Sequence, residues 1–251
     1  MLVCGTVESL LGSSLTRQHV AGISLVGVVL MSIAAAAAEL PAALVRPPCV
    51  ACQQPAGAGR ELFSATDWTH LENGDVVIID RTPATTGGGD DSSVLHESEA
   101  AVIVPRPATE VWAVLADFES RPKVFPNVSE SRIERVDDNR AWIQQSVDVL
   151  WTTIRYTLIT TLDPAQGLIT FALDPSAPHD IRDNTGSWQL LPHGDASTLL
   201  LSRDRVDSGK PVPGVIENYL LKRSLPTMMS NVRHEVERRA NLNSTALKSR
   251  N

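Results

Sequence analysis

Apolar and polar residues alternate along most of the second half of the chain, with the two-residue period of half-buried β-strands. In one such stretch, Tyr156, Leu158 and Leu162 fall on one side of the strand. Arg155 and Thr157 fall on the other side. The predicted strands are residues 76–79, 96–104, 129–136, 141–149, 152–162, 168–173, 186–191 and 197–204. Links of hairpin length between most of them predict an antiparallel sheet.

Helical patterns flank the main run of strands. Pro107 suits the first turn of a helix in which Val111, Leu115 and Phe118 share one apolar face. A second short helix is predicted over 117–125, where the following proline ends it.

A long helical segment is predicted over 213–240. It carries two apolar stripes, and Pro226 between them predicts a kink or a split into two helices. Residues 241–251 are polar and are predicted to form a disordered tail.

These elements together predict an α+β fold. We expect a curved antiparallel sheet of six to seven strands wrapped around the long C-terminal helix, with two short helices after an early strand. One helix covers only part of such a sheet, so the remaining concave face predicts an apolar cavity, a common form of ligand site.

The N-terminal quarter has a different character. Residues 20–38 contain no charged residue, and the small residues at their end suit a secretory signal peptide, with an uncleaved membrane anchor as the alternative. The predicted organisation is a signal peptide or anchor over 1–40, a flexible linker over 41–69 and a folded domain over 70–240. The protein is therefore expected to be exported to the periplasm or the exterior, or to be anchored to the membrane.

Composition narrows the function classes. Hydrophobic residues make up 43% of the 251 residues, which is enough for a sizeable core, and the net charge of -7 argues against a nucleic-acid partner. No cysteine lies beyond Cys52. The spacing of Cys49 and Cys52 leaves two interpretations open, an inert pair in a linker or a disulfide in an exported protein.

The sequence contains no nucleophile motif, phosphate-binding loop or metal-ligand spacing, so we predict no catalytic residue, metal or cofactor. The acid–base candidates within strands are Asp148, Arg155, Arg203 and Asp204. On an amphipathic sheet, such side chains usually point to solvent.

Aromatic and flexible apolar side chains recur on the elements that must face one another. Most of them are expected in the core, but they are also the residues that could contact a ligand, and methionines suit a wall that adapts to it. The candidate ligand-binding residues are Trp112, Phe125, Trp142, Tyr156, Phe171, Trp188, Tyr219, Met228, Met229 and Val232.

Three segments carry a resemblance to a known family. They are AVIVPRPATEVWAVLADFESRPKVFPNVSESRI (101–133), GSWQLL (186–191) and PVPGVIENYLLKRSLPTMMSNVRHEVERR (211–239). With the order of elements over 70–240, they resemble the START-like helix-grip superfamily (SRPBCC), and within it the exported members of the polyketide cyclase and coenzyme Q-binding branch. The resemblance implies a hydrophobic ligand held between sheet and helix, and it supplies no universal catalytic motif.

We therefore expect a non-enzymatic protein that binds, and could transport or chaperone, a lipid or a quinone. One alternative is an aromatase/cyclase-like enzyme in which Arg155, Tyr156 or Asp148 orients a polyketide-type substrate. It requires these side chains to converge inside the fold. Another is a membrane-tethered interaction module that retains residues 20–38 and contacts the membrane.

Overall fold

The computed structural model describes residues 38–55, 57–80, 95–149, 151–194, 196–209 and 220–248. The predicted signal peptide or anchor over 20–38 lies, except for its last residue, outside the described residues. The helices are α1 (Ala42–Val45), α2 (Ala65–Glu72), α3 (Ala108–Leu115), α4 (Arg121–Val124) and α5 (Leu225–Lys248). The 3-10 turns are Arg60–Leu62 and Phe118–Ser120, and a π-helical turn, Leu220–Ser224, precedes α5.

All eight predicted strands form one antiparallel sheet, so the expected six to seven strands become eight. The strands are β1 (Val77–Asp80), β2 (Leu95–Val104), β3 (Val128–Asp137), β4 (Arg140–Val149), β5 (Thr152–Asp163), β6 (Leu168–Leu173), β7 (Asp183–His193) and β8 (Ser197–Asp207). Their order is β1-β2-β8-β7-β6-β5-β4-β3, with β1 and β3 at the unpaired edges. The predicted α+β helix-grip architecture is confirmed.

The concave face of the sheet carries the main core. Residues directly opposite each other in neighbouring strands share a face, and one row across the sheet runs through Leu162, Ile169, Trp188, Ser202 and Ala100. All five side chains of this row are buried. The alternation of apolar residues along each strand therefore converges on one face, as the sequence pattern predicts.

Helix α5 lies on this face through Met229, Val232 and Val236, whose three- and four-residue spacing places them on one side of the helix. All three are buried to within 1% of full burial. Pro226 is the second residue of α5, where a helix needs no backbone donor. The proline therefore marks the start of α5, and the predicted upstream stripe over 215–220 lies, except for Leu220, outside the described residues.

Polar contacts fix both ends of α5. The Nδ2 of Asn231 donates to the carbonyl oxygen of Val124 over 2.9 Å near the N-terminal end. Towards the C-terminal end, the Nη2 of Arg239 donates to Asp117 over 2.8 Å. The helix continues to Lys248, so the predicted disordered tail over 241–251 is wrong for residues 241–248.

The segment predicted to be a flexible linker over 41–69 instead covers the domain. On the convex face, Phe63 and Leu71 pack against Val77, Leu199 and Leu201 in a second buried cluster. Leu200 of β8 packs in the main core and its neighbours Leu199 and Leu201 pack in this second cluster, so both faces of the strand are covered there and the three leucines are consecutive in the sequence.

The first part of that segment is held at one end of the sheet. The backbone N–H of Ala51 donates to the carbonyl oxygen of Pro164 over 2.8 Å, and Ala51 is fully buried. Cys49 and Cys52 flank it and are joined by a disulfide, so the open question between an inert pair and a bonded pair is answered in favour of the bond.

Candidate ligand site on the concave face of the sheet

An aromatic wall forms where α4 meets the middle of the sheet. The ring of Phe125, at the C-cap of α4, stacks on the indole of Trp188 in β7, with 5.7 Å between centroids and 28° between planes. Phe171 of β6 lies opposite Gly186 of β7. A Cβ atom at Gly186 would come within 2.5 Å of the Phe171 ring, so only glycine leaves room for that ring.

Arg121 brings a positive charge into this apolar surrounding. Its side chain is only 5% exposed, and its guanidinium carbon lies 4.6 Å from the ring centroid of Phe118 and 5.3 Å from that of Phe125. The Nε–H group of Arg121 is buried and has no hydrogen-bond partner. Burial lowers the pKa of Arg121 to about 10, so the side chain still carries its charge at neutral pH.

Three polar side chains from the sheet face the same region. Burial raises the pKa of the Tyr156 hydroxyl, and the negative charge of Asp204 raises it further. The nearby Arg121 charge and a hydrogen bond with the side chain of Asn184 act in the opposite direction. Burial also raises the pKa of the Asp204 carboxyl to about 6, against a smaller lowering by the backbone N–H of Arg205.

Several polar side chains in this region have a buried oxygen atom that makes no hydrogen bond. Register places Thr160, Phe171, Gly186 and Asp204 in one row on the concave face, and Asn184 is in phase with Gly186. Thr160 Oγ1, Asn184 Oδ1 and Asp204 Oδ1 are buried and make no hydrogen bond. Buried polar atoms are almost always paired in folded proteins, so a cluster of unpaired ones beside an aromatic wall is typical of a site that receives a ligand.

The structure brings together some of the predicted ligand residues. Phe125, Tyr156, Phe171 and Trp188 lie on the concave face as described. Met228, Met229 and Val232 belong to the side of α5 that packs against the same core. Tyr219 lies outside the described residues.

Two predicted ligand residues make other contacts. Trp112 is fully buried in α3, and its Nε1 donates to the carbonyl oxygen of Leu44 over 2.7 Å, so it joins α3 to the N-terminal segment. Trp142 alternates with the core residues Ala141 and Ile143 and therefore points to the opposite face of the sheet. There, the guanidinium carbon of Arg135 lies 3.5 Å from a ring centroid of Trp142.

Of the four acid–base candidates, only Asp204 faces the site. Arg155 and Asp148 are exposed, and Asp148 accepts a hydrogen bond of 2.6 Å from Thr153, so these two do not converge with Tyr156. Arg203 is paired with Glu99 over 2.5 Å. The set of three proposed for an enzyme is therefore wrong, whereas Asp204 does face the site.

The sequence prediction missed Arg121 and Asn184. Arg121 follows Phe118 by three residues and precedes Phe125 by four, which places it on the apolar side of a helical turn. Asn184 precedes Trp188 by four residues and shares its face of β7. Within the described ranges, no group of three metal-ligating side chains that could hold an ion is found.

The described residues also form a groove away from the Phe125–Trp188 stack. It is a groove of about 880 Å³ between α3, the C-terminal half of α5 and residues 39–47. Its floor includes Ala113 and Val236, and its rim carries charges of both signs, among them Glu119 and Arg239. It lacks the aromatic wall of the concave face.

Comparison with known proteins gives consistent results for sequence and fold. The sequence pattern of the family described as polyketide cyclase / dehydrase and lipid transport matches residues 96–237. The granaticin polyketide synthase bifunctional cyclase/dehydratase of Streptomyces violaceoruber is 28% identical over 142 residues, which are 53% of this chain and 41% of that protein. The chain thus spans less than half the length of this relative.

Two solved structures illustrate the range of similar folds. The Zhui aromatase/cyclase from Streptomyces sp. R1128 superposes with a TM-score of 0.51 and 25% identity over 58% of this chain and 96% of its own. Human STARD10 superposes with a TM-score of 0.55 and 17% identity over 69% of this chain and 74% of its own, a likeness of fold alone.

Proposed function

Because the chain belongs to the polyketide cyclase / dehydrase and lipid transport family, we propose that it binds a hydrophobic small molecule on the concave face of its sheet. The observation that carries this proposal is the set of unpaired polar atoms buried beside the Phe125–Trp188 stack. Such atoms lose their hydration on folding, and a ligand is the simplest partner that restores their hydrogen bonds.

The energetics favour a ligand that is mostly apolar. Burial of apolar surface contributes about 25 cal/mol per Å², before the free energy lost in ordering the ligand is subtracted. The aromatic wall and Met228, a flexible side chain only partly buried against the core, offer such surface to a ligand of variable shape.

Binding is tested with the full-length protein. We expect it to take up the neutral apolar dye Nile red, with enhanced emission, and to release the dye when a long-chain lipid or a quinone is added. Organic extraction followed by mass spectrometry would identify a ligand carried through purification. If the protein neither takes up the dye nor carries an extractable apolar compound, the proposal fails.

The class of ligand and the way in which the protein handles it are part of the same proposal. Lipids and quinones are the ligand classes to compare first, and carriage or chaperoning of the ligand follows if the bound molecule exchanges with vesicles. Direct contact with a membrane is expected only if that exchange depends on collision with the vesicle surface.

A second candidate function is cyclisation of a polyketide-type substrate. The observation that favours it is the interaction of the Tyr156 hydroxyl with both Asn184 and Asp204, a titratable carboxyl whose pKa is raised to about 6 by burial. In such a reaction, ionised Asp204 would accept a proton from the carbon between two carbonyls, while the Tyr156 hydroxyl donates a hydrogen bond to the carbonyl oxygen. Faster cyclisation of a short poly-β-ketone thioester by the protein, lost in Asp204→Asn, supports it, and an unchanged rate excludes it.

We also propose that the protein is exported. The Cys49–Cys52 disulfide supports it, because disulfides persist mainly in oxidising compartments. Within the described part of the chain, no helix is both long enough and apolar enough to cross a bilayer. Sequencing the N-terminus of the mature protein distinguishes a cleaved signal peptide from a retained anchor and thereby tests the membrane-tethered alternative.

A further inference from the structure

Arg121 carries a buried positive charge in an apolar surrounding. Among the described residues, none supplies a carboxylate that forms an ion pair with its guanidinium, and the charged form is opposed mainly by loss of hydration. The neighbouring rings of Phe118 and Phe125 contribute cation–π attraction, which replaces only part of that hydration. An isolated charge that stays buried in a folded protein is normally matched by a counter-charge.

The unpaired atom of Arg121 restricts the geometry of that counter-charge. The Nε–H group forms one edge of the guanidinium together with a terminal N–H, and two parallel N–H groups match the two oxygens of a carboxylate. The Nε atom is buried and the guanidinium lies beside the ring of Phe125, so its partner must be a group that enters this apolar surrounding.

We propose that the ligand carries a single carboxylate, which accepts hydrogen bonds from the Nε edge of Arg121 while its apolar remainder lies along the aromatic wall. This inference rests on the proposed ligand binding and names the chemical class of the ligand. It makes the ligand an aliphatic or aromatic carboxylic acid.

The carboxyl of Asp204 favours a ligand with one negative charge over a ligand with two. Asp204 also faces this region, and its negative charge raises the pKa of Tyr156, whereas the positive charge of Arg121 lowers it. A doubly charged phosphate would meet one cation and the repulsion of the ionised Asp204 carboxyl. A single carboxylate at Arg121 leaves the Tyr156 hydroxyl free to donate to one of its oxygens.

The experiment compares probes that share one chain and differ only at the end. Dodecanoate, methyl dodecanoate and dodecyltrimethylammonium, each below its micelle concentration, compete for Nile red bound to the full-length protein at pH 7.5. We expect dodecanoate to bind about tenfold or more tightly than the ester, the usual effect of charge-assisted hydrogen bonds. The ammonium probe should bind most weakly of the three.

Substitution at the cation locates the effect. Arg121→Met keeps the length of the side chain without its charge, and we expect it to lower dodecanoate affinity by about tenfold or more while the affinity for the ester changes less than about threefold. Arg121→Lys keeps the charge without the paired donors and should fall between the two. The matched control is Arg155→Met, which removes an exposed arginine from β5 and should change neither affinity.

The outcomes separate this inference from the function on which it rests. If Nile red and all three probes fail to bind, the proposed ligand binding itself is wrong. If the ester binds as tightly as dodecanoate, or the ammonium probe binds best, ligand binding stands and the carboxylate is excluded. Should the Arg121 variants not fold, the preference of the wild-type protein among the three probes still decides.

Discussion

The indole Nε1 of Trp112 donates a hydrogen bond of 2.7 Å to the carbonyl oxygen of Leu44. This contact joins α3, which precedes the main run of strands, to the segment that wraps the end of the sheet. Trp112 is fully buried in the core and its indole N–H is already bonded within the fold, so we expect it to serve stability and not ligand contact.

Trp112→Phe should therefore lower stability without changing ligand affinity. The variant leaves the Leu44 carbonyl without its donor and removes part of a fully buried side chain, and we expect a loss of about 1–3 kcal/mol in the free energy of unfolding. Urea unfolding measures the loss, and Nile red titration measures affinity. An affinity that falls while the folded fraction stays complete would place Trp112 in the ligand site after all.

Phe125→Ala should weaken ligand binding strongly and lower stability only moderately. It removes the ring that stacks on Trp188, and we expect Nile red affinity to fall by about tenfold, since an aromatic contact and its apolar area are lost together. Because Phe125 is only partly buried, the loss of stability should stay near 1–2 kcal/mol. The matched control is Trp142→Phe on the opposite face of the sheet, and an equal loss of affinity in both variants would contradict the site.

The arrangement of strands was predictable because alternation is a local property. Leu158 and Leu162 are four positions apart in β5, and an even spacing places their side chains on the same face of the sheet. The packing of residues 41–69 is not local. Ala51 is ordered by Pro164, and Phe63 by Leu199, partners more than a hundred residues away, so a weak pattern in the segment was misread as a linker.

The apolar residues of the site could be predicted from the sequence, but the buried arginine could not. Phe125, Phe171 and Trp188 face it because they occupy core positions of their elements. Arg121 was missed because an arginine in a short helix is normally solvated, and only the sheet packed against α4 shows that it is buried. Trp142 was misassigned because we gave its large aromatic side chain more weight than the alternation along the strand. That alternation places Trp142 and Ile143 on different faces of the sheet.

Glu235 should stabilise α5 in a manner that acid removes. Hydrogen bonds of 2.7 Å from Arg238, and the further bond and charge of Arg239, lower the pKa of Glu235 to about 2. A lowered folded-state pKa means that this stabilisation is complete above the ordinary pKa and is lost as the pH falls towards 2. Glu235→Gln should cost about 1 kcal/mol at pH 7, since the pair is partly screened by solvent.

The test is urea unfolding of both proteins at pH 7 and at pH 2.5. The difference between them should shrink at the lower pH, where the wild-type carboxyl is largely protonated in the unfolded state and partly so in the folded one. Glu119→Gln, an exposed glutamate, is the control and should give the same stability as the wild-type protein at both pH values. A difference for Glu235→Gln that does not depend on pH would show that the carboxylate charge is irrelevant.

The Asp204 carboxyl should lower stability as the pH rises, which is the opposite of the effect of Glu235. Burial raises the pKa of its carboxyl to about 6, so between its ordinary value and pH 6 the folded protein holds a proton that the unfolded chain has released. Stability therefore falls as the pH rises through that window, and above about pH 6 the folded state carries a buried charge. Asp204→Asn removes the charge and keeps the shape, and it should raise the free energy of unfolding at pH 8 by about 1–2 kcal/mol.

At pH 4 the same substitution should have little effect, because the wild-type carboxyl is already protonated in the folded state. Urea unfolding at pH 4 and pH 8 measures both values, with the exposed Asp148→Asn as the control. Bound dodecanoate should also gain affinity at pH 8 in Asp204→Asn, since one of the two negative charges near Tyr156 is gone. Destabilisation by Asp204→Asn at pH 8 would mean that the Asp204 carboxylate has a stabilising partner in the folded protein beyond the backbone N–H of Arg205, and it would remove the electrostatic argument for a ligand with a single charge.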